Sequence, residues 1–257
     1  MINKTTKPHK LLLATILFAS TMFGITSSVS AQSPDQDALA VLKNSTDFLA
    51  AQQQFSVNSE SVLEVVLANG QKIQFDNAAS MALKRPNKLK AQRVGELVDQ
   101  HMFYNGKTFT LFNPSAGLYA TEAMPANLDA MLDKARDDFD IIAPASDLIY
   151  TNAFDRLTKS ATSGYIVGNT MIDGKPSTHL AFRTPGTDWQ IWIADGAKPL
   201  PLKFVVTSVD VEGSPQFEVR LSNWNLAPNL ADSVFEFKAP AGSQEIDFIV
   251  PASAASN

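Results

Sequence analysis

The sequence predicts a mainly β protein of the α+β class, in which an antiparallel sheet is combined with a few helices. Short runs rich in β-branched and aromatic residues, separated by tight-turn dipeptides, predict the sheet. Helical spacing of apolar residues near the start and in the middle of the chain predicts the helices. Because the turns join runs that are neighbours in sequence, the pattern favours a meander over a βαβ fold.

The N-terminal segment has the features of an export signal. Three lysines within residues 1–10 precede an apolar run at 11–25, and small residues at 29–31 provide a cleavage site. The apolar run is about fifteen residues long, shorter than the roughly twenty that span a bilayer. We therefore expect residues 1–31 to be a signal peptide and the processed protein to be soluble in the periplasm.

Composition limits the classes of partner and the source of stability. The net charge is −5, and removal of the lysine-bearing signal makes it more negative, which argues against nucleic acid as a partner. Cysteine is absent, so burial of a core must stabilise the fold without disulfides. The remaining length suits a single domain at 32–250, followed by a disordered tail at 251–257.

The first helix is predicted over 34–53. Ser33 stands at the cap, Pro34 at the first helical position and Gln36 where it completes a capping box. Apolar residues then recur at roughly helical spacing, so this helix is expected to lie on the sheet.

Tight-turn dipeptides place the hairpins that follow. Strand alternation gives one polar face to the run 216–222, whereas the runs 189–193 and 202–209 carry apolar residues on both faces. A looser reversal is expected around Gly213. The four dipeptides that favour hairpins are Asn69-Gly70, Asn105-Gly106, Asp173-Gly174 and Asp195-Gly196.

Helical periodicity returns between Pro125 and Phe154, where we predict one helix and then a second, short helix from Ser146. The many aspartates of this segment lack the glycine-centred pattern of a calcium loop. We interpret them as a solvated helix face and expect no metal.

Motifs of known catalytic sites are missing from the sequence. There is no nucleophile elbow and no phosphate-binding loop. His101 and His179 lie on predicted strands without a paired acid nearby in sequence, so each is interpreted as an ordinary surface or core histidine. We expect neither enzymatic activity nor a cofactor. A hydrolase of envelope polymers remains a third hypothesis, because paired carboxylates need not be close in sequence.

Three segments, in this order, resemble the periplasmic lipoprotein-carrier superfamily typified by LolA and LolB. Residues 84–89 (Lys-Arg-Pro-Asn-Lys-Leu) end a strand at a basic-Pro-Asn corner, and 104–114 form a hairpin that closes on Asn-Pro. Residues 235–242 (Phe-Glu-Phe, then Pro-Ala-Gly) are similar to the closing strand of the carriers. The segment 189–201 is most similar to an uncharacterised family of predicted periplasmic proteins within that superfamily.

The resemblance implies a half-barrel, that is, a curved antiparallel sheet of about eleven strands, capped by the N-terminal helix and by a helical lid insertion at about 125–154. In the carriers an arginine at the basic-Pro corner holds the lid closed through hydrogen bonds to lid backbone, and the matching residue is Arg85. A guanidinium suits this role because it offers five donors to helix-end carbonyls. A solvent-facing turn residue is the alternative for Arg85.

The leading hypothesis is a non-enzymatic periplasmic carrier that holds a lipid or a lipoprotein acyl chain in the half-barrel. The alternative is a module of the same fold that senses envelope stress or acts as a scaffold without transfer. Expected partners are a lipid or acylated lipoprotein and an envelope membrane protein, with no nucleic acid, and the protein is expected to be a monomer.

The strand pattern alone also fits a packed core without a cavity. The predicted cavity residues are Phe103, Phe109, Leu111, Trp189, Ile191, Ile193, Phe204, Phe217, Val219 and Leu221. The predicted lid residues are Leu128, Met131, Leu132 and Phe139.

Overall fold

The computed structural model describes residues 33–141 and 145–248. These residues form an open sheet of twelve strands with three α-helices, which confirms the predicted α+β half-barrel. The predicted signal peptide at 1–31 and the predicted tail at 251–257 lie outside the described residues. Within the described residues, no helix is both long and apolar enough to cross a membrane.

The sheet consists of two meanders that meet where β1 pairs with β11. Its strand order is β12-β6-β5-β4-β3-β2-β1-β11-β10-β9-β8-β7, and β12 is the additional strand relative to the expected eleven. The pairs are antiparallel except for β12, which lies parallel to β6 through two residues. The strands are β1 (Gln54–Val66), β2 (Lys72–Lys84), β3 (Lys88–Gly95), β4 (Val98–Tyr104), β5 (Thr108–Asn113), β6 (Leu118–Ala123), β7 (Ser163–Ile172), β8 (Lys175–Thr184), β9 (Thr187–Ala194), β10 (Pro201–Ser208), β11 (Gln216–Asn225) and β12 (Gln244–Glu245).

All four predicted turn dipeptides lie between paired antiparallel strands. In the β7–β8 hairpin both central residues have positive φ, 48° at Asp173 and 75° at Gly174, as a type I′ turn requires. The dipeptide at 195–196 instead begins a longer connection between β9 and β10. The β8–β9 turn, where Gly186 has a φ of 74°, was not predicted.

The first helix, α1 (Gln36–Ala50), begins two residues later than predicted. Asp35 is the cap, because its backbone is extended and its carboxylate accepts a hydrogen bond from the Asp37 amide at 3.0 Å. The predicted cap at Ser33 is therefore wrong, and Pro34 precedes the cap. The buried side of α1, which includes Leu42, lies on the sheet as expected.

The helical insertion between β6 and β7 consists of α2 (Leu128–Phe139), a 3₁₀ turn (Ser146–Ile149) and α3 (Ala153–Thr158). It is called the insertion below. The side-chain oxygen of Asn127 caps α2 by accepting a hydrogen bond from the Ala130 amide at 2.8 Å. The predicted helix from Ser146 is divided into two pieces because Tyr150 is extended, with a ψ of 152°.

The face of the sheet that α1 and α2 cover, called the inner face, carries two hydrophobic clusters. Beneath α1, large side chains of β8 to β11 pack against Ala38 and Leu42. Beneath α2, residues of β1 to β5 pack against Met131 and Ala135. The opposite, outer face is partly covered by the segment after β11, where Phe235 is fully buried.

Candidate functional site

A cavity of about 310 Å³ lies between the inner face of the sheet and the insertion. Strands β1 to β5 and β11 form its floor, and α2 with the segment 145–150 forms its roof. Its volume falls at the lower end of the range of about 300–1,000 Å³ that is usual for small-molecule pockets. The lining residues from the strands include Val57, Ser59, Ser61, Ala79, Met81, Leu89, Ala91, Arg93, Met102, Phe109, Phe217, Val219 and Leu221.

The cavity exists because small side chains meet at one level of the sheet. Ser59 pairs with Ala79, and Ala79 pairs with Arg93 on the next strand. Directly paired residues project from the same face, so Ser59, Ala79 and the neighbouring Ala91 all lie below the insertion. Their side chains leave space that a leucine or phenylalanine would fill. Beneath α1, by contrast, the inner face carries buried residues such as Phe204.

Along β1 and β3 the floor of the cavity changes from buried apolar residues to half-buried polar ones. Phe55 and Leu89 are buried, whereas Ser59 and Arg93, four residues further along β1 and β3, are half-buried. At about 3.3 Å per residue, this change occurs over about 13 Å. The cavity therefore has a closed apolar end at Leu89 and a more open polar end at Arg93.

Polar contacts within the insertion join α2 to the segments that follow it. The Asp133 carboxylate accepts hydrogen bonds from the Tyr150 hydroxyl at 3.0 Å and from the guanidinium of Arg156 at 3.1 Å. Burial by itself raises the pKa of Asp133, but the Tyr150 hydrogen bond and the charges of Arg156 and Arg136 together lower it. Burial, and then the hydrogen bond to Asp133, raise the pKa of Tyr150 to about 12.

Some aspartates of the insertion thus hold its pieces together, in addition to facing solvent. Asp129 accepts a hydrogen bond from the Thr151 amide at 3.1 Å, and its carboxylate also contacts the Thr151 hydroxyl. In residues 33–141 and 145–248, no three histidine, cysteine, aspartate or glutamate side chains are grouped so that they could hold a metal ion.

The β2–β3 corner contacts the insertion at two points. Arg85 Nη2 donates a hydrogen bond to the Ile149 carbonyl at 2.9 Å, and the Pro86 carbonyl accepts one from the Leu128 amide at 2.9 Å. The other two nitrogens of the guanidinium, Nε and Nη1, are buried without a partner in the described part of the chain. Burial lowers the pKa of Arg85, and Asp129 partly offsets that shift.

The structure brings part of the predicted site together and places the rest elsewhere. Phe103 lies on the outer face, 5.4 Å from Phe237 between ring centroids, because Met102 takes the inward position on β4. Leu111, Leu128 and Phe139 belong to the hydrophobic cluster below α2 but do not line the cavity. The predicted residues that line it are Phe109, Phe217, Val219 and Leu221 from strands and Met131 and Leu132 from α2. The predicted residues packed beneath α1 are Trp189, Ile191, Ile193 and Phe204.

Sequence reasoning missed the small and the charged residues of the cavity. Ser59, Ala79, Ala91 and Arg93 all line it, and none of them was predicted. The signal that could have found them is a run of inward positions with little side-chain volume on neighbouring strands. Reading that signal requires the register between strands, which one sequence does not give.

Solved structures of low sequence identity are similar to this chain. An uncharacterized conserved protein from Thermus thermophilus is 12% identical, over 82% of this chain and 99% of that chain, with a TM-score of 0.48. LprF from Mycobacterium bovis is 16% identical, over 82% of this chain and 100% of that chain, with a TM-score of 0.47. A LolA superfamily protein from Nitrosomonas europaea is 13% identical, over 78% of this chain and 97% of that chain, with a TM-score of 0.34.

A comparison with curated proteins gave no match. The sequence does match a protein family over residues 38–249, which is most of the chain. The segment 189–201 predicted a family of uncharacterised periplasmic proteins, and the matched family is of that type. The chain therefore belongs to the family described as Predicted periplasmic protein (DUF2092).

Proposed function

We propose that this protein is a non-enzymatic periplasmic carrier that holds the acyl chain of a lipid or lipoprotein in the cavity beneath the insertion. The observation that carries the proposal is the apolar cavity itself, with Leu89, Phe109 and Met131 among its walls. An apolar space of this kind suits a ligand without hydrogen-bonding groups along its length.

The size of the cavity and the energetics of burial fit one acyl chain. Each buried methylene contributes about 0.8 kcal/mol, whereas association costs about 4–15 kcal/mol. A long acyl chain that is mostly buried can therefore be bound with a net gain. A volume of about 310 Å³ is small for several chains at once, so a multiply acylated ligand would require the insertion to move.

Loading and release require the insertion to act as a lid. The corner of β2 and β3 contacts it through the Arg85 bond to Ile149 and the Leu128 bond to Pro86. The hydrogen bonds of Asp129 and Asp133 lie within the insertion and can move with it when the roof separates from the floor.

Mass spectrometry of co-purified lipid tests the proposal. Purified protein is extracted under denaturing conditions, and the extract is analysed for acyl species. Near-stoichiometric lipid is expected. The lipid-free protein should then increase the fluorescence of an environment-sensitive fatty-acid probe.

A matched pair of variants tests where the probe binds. Ala79→Leu adds volume to the cavity floor and should weaken probe binding by about 10-fold or more, because the added side chain occupies the ligand space. Ala78→Leu is the control, since Ala78 is exposed on the outer face of the same strand. A lipid-free extract and no probe response would contradict the carrier proposal and favour the scaffolding or stress-sensing module. Equal binding by both variants would show that the probe lies outside the cavity.

A further inference from the structure

One charged side chain in the wall of the cavity, Arg93, has no partner among the residues that the structure describes. Arg93 lies on the inner face of β3, where it pairs with Ala79, and it lines the cavity at the polar end. In the ranges that the structure describes, its guanidinium makes no ion pair and donates no hydrogen bond to another residue. The guanidinium is half-buried and offers five donors, so a ligand in the cavity can supply it with an acceptor.

The other charges near the cavity are already compensated. Arg136 Nη2 lies 2.8 Å from Asp133 Oδ1, and Asp147 Oδ1 lies 3.5 Å from Arg156 Nε. The only remaining uncompensated charge among these groups is the positive charge of Arg93.

The pKa shifts of two arginines agree with this difference. Burial lowers the pKa of Arg93, and no carboxylate offsets the shift. At Arg85, by contrast, Asp129 partly offsets the effect of burial. Arg85 also lies outside the cavity, so it does not compete with Arg93 for a ligand inside it.

We propose that the ligand is a single-chain amphiphile with an anionic head group, a carboxylate or a phosphate, which Arg93 binds at the polar end of the cavity. This inference rests on the proposed function, in which the cavity holds an acyl chain. The head group accepts hydrogen bonds from the guanidinium, and the chain extends toward Leu89 at the apolar end. An arginine suits both groups because its planar fork donates two parallel hydrogen bonds.

The direction of the ligand follows from the position of Arg93 and from the change in burial along β1 and β3. Ser59 lies at the level of Arg93 and can contact a polar head group, whereas Phe55 lies at the level of Leu89 and is buried. The reverse direction would leave the guanidinium against methylenes and an anion among aromatic side chains, which is costly.

Three ligands with the same chain length test the inference: myristate, lysophosphatidylglycerol with a myristoyl chain, and myristyl alcohol. Their affinities are measured by displacement of the fluorescent probe from lipid-free protein. We expect at least one of the anions to bind about 10- to 100-fold more tightly than the alcohol, the range of a charge-assisted hydrogen bond. The anion that binds more tightly distinguishes a fatty acid from a phospholipid as the source of the head group.

Variants then assign the preference to Arg93. Arg93→Gln should remove the preference for anions and leave the affinity for the alcohol unchanged. Arg93→Lys should retain most of the preference. Arg220→Gln is the matched control, because Arg220 lies on the outer face next to Glu218 at 3.3 Å.

The outcomes separate the two proposals. If the protein binds all three ligands equally, the anionic ligand is excluded and the acyl-chain carrier stands. If Arg93→Gln weakens binding of the alcohol as much as that of the anions, Arg93 only supports the cavity wall and the inference fails. If no ligand binds, the proposed function itself fails, and the inference fails with it.

Discussion

Replacing Arg85 by methionine tests the proposal that the insertion is a lid which the β2–β3 corner contacts in its closed position. In the closed position the guanidinium gains one hydrogen bond to the Ile149 carbonyl, and it buries two nitrogens without a partner in the described residues. The bond contributes about 1.5–3 kcal/mol, whereas each unpaired buried donor costs about 1–3 kcal/mol. The closed position of Arg85 is therefore close to neutral or costs a few kcal/mol. Methionine is unbranched and fills similar space without donors.

The expected result of Arg85→Met is slower ligand release at nearly unchanged stability. If the substitution favours the closed lid by about 1.4 kcal/mol, release slows about 10-fold. A change of about 1 kcal/mol in the free energy of unfolding moves the melting temperature by only about 2–4 °C in a protein of this size. Release is measured by stopped-flow loss of probe fluorescence, and stability by thermal unfolding.

The control for Arg85→Met is Lys84→Met. Lys84 is the preceding residue and forms an ion pair with Asp232 at 2.8 Å, away from the cavity. The Lys84→Met variant should therefore release the ligand at the unchanged rate. Faster release from Arg85→Met would refute this reasoning, because it would mean that the bond to Ile149 outweighs the two unpaired donors. If the ligand-release rate is unchanged and the free energy of unfolding falls strongly, Arg85 stabilises the β2–β3 corner and has no effect on the lid.

Two further predictions concern the packing of the insertion and of the α1 side. The pKa of Tyr150 is about 12 in the fold and about 10 when unfolded, so its stabilising effect is complete below pH 10 and is lost as the pH rises toward 12. Tyr150→Phe should lose about 1 kcal/mol at neutral pH and show a shallower alkaline loss in urea unfolding; an unchanged pH dependence would contradict this. Trp189 stacks on Phe182 at 4.3 Å, so Trp189→Ala should lose about 3–5 kcal/mol in the same assay without weakening probe binding. Weaker binding at little cost in stability would place the ligand beneath α1.

The elements of the fold were predictable because their signals are local. A dipeptide such as Asp173-Gly174 needs positive φ at both positions, and the structure has it there. The amphipathic spacing of α1 and α2 likewise marks the side that packs on the sheet. The cap of α1 was less predictable, since Ser33 and Asp35 are both good caps and the local backbone decides between them.

The cavity was less predictable because it depends on contacts between strands. Ser59, Ala79 and Arg93 are distant in sequence and become neighbours only through the register of β1, β2 and β3. The predicted cavity residues are mostly large and apolar. A large side chain such as Phe204 fills space, however, whereas a small side chain leaves space for a cavity. Met102 and Phe103 are both apolar, so alternation along β4 does not decide which of the two side chains faces inward.

The cavity interrupts an otherwise closely packed inner face. The sheet can support such a space because large residues fill the inner face beneath α1 and because Phe55, Leu83 and Tyr104, all fully buried, close its apolar end. In the proposed carrier, an acyl chain would make the contacts that the small side chains of β1, β2 and β3 do not make, so closure of the lid and binding of the ligand should stabilise each other.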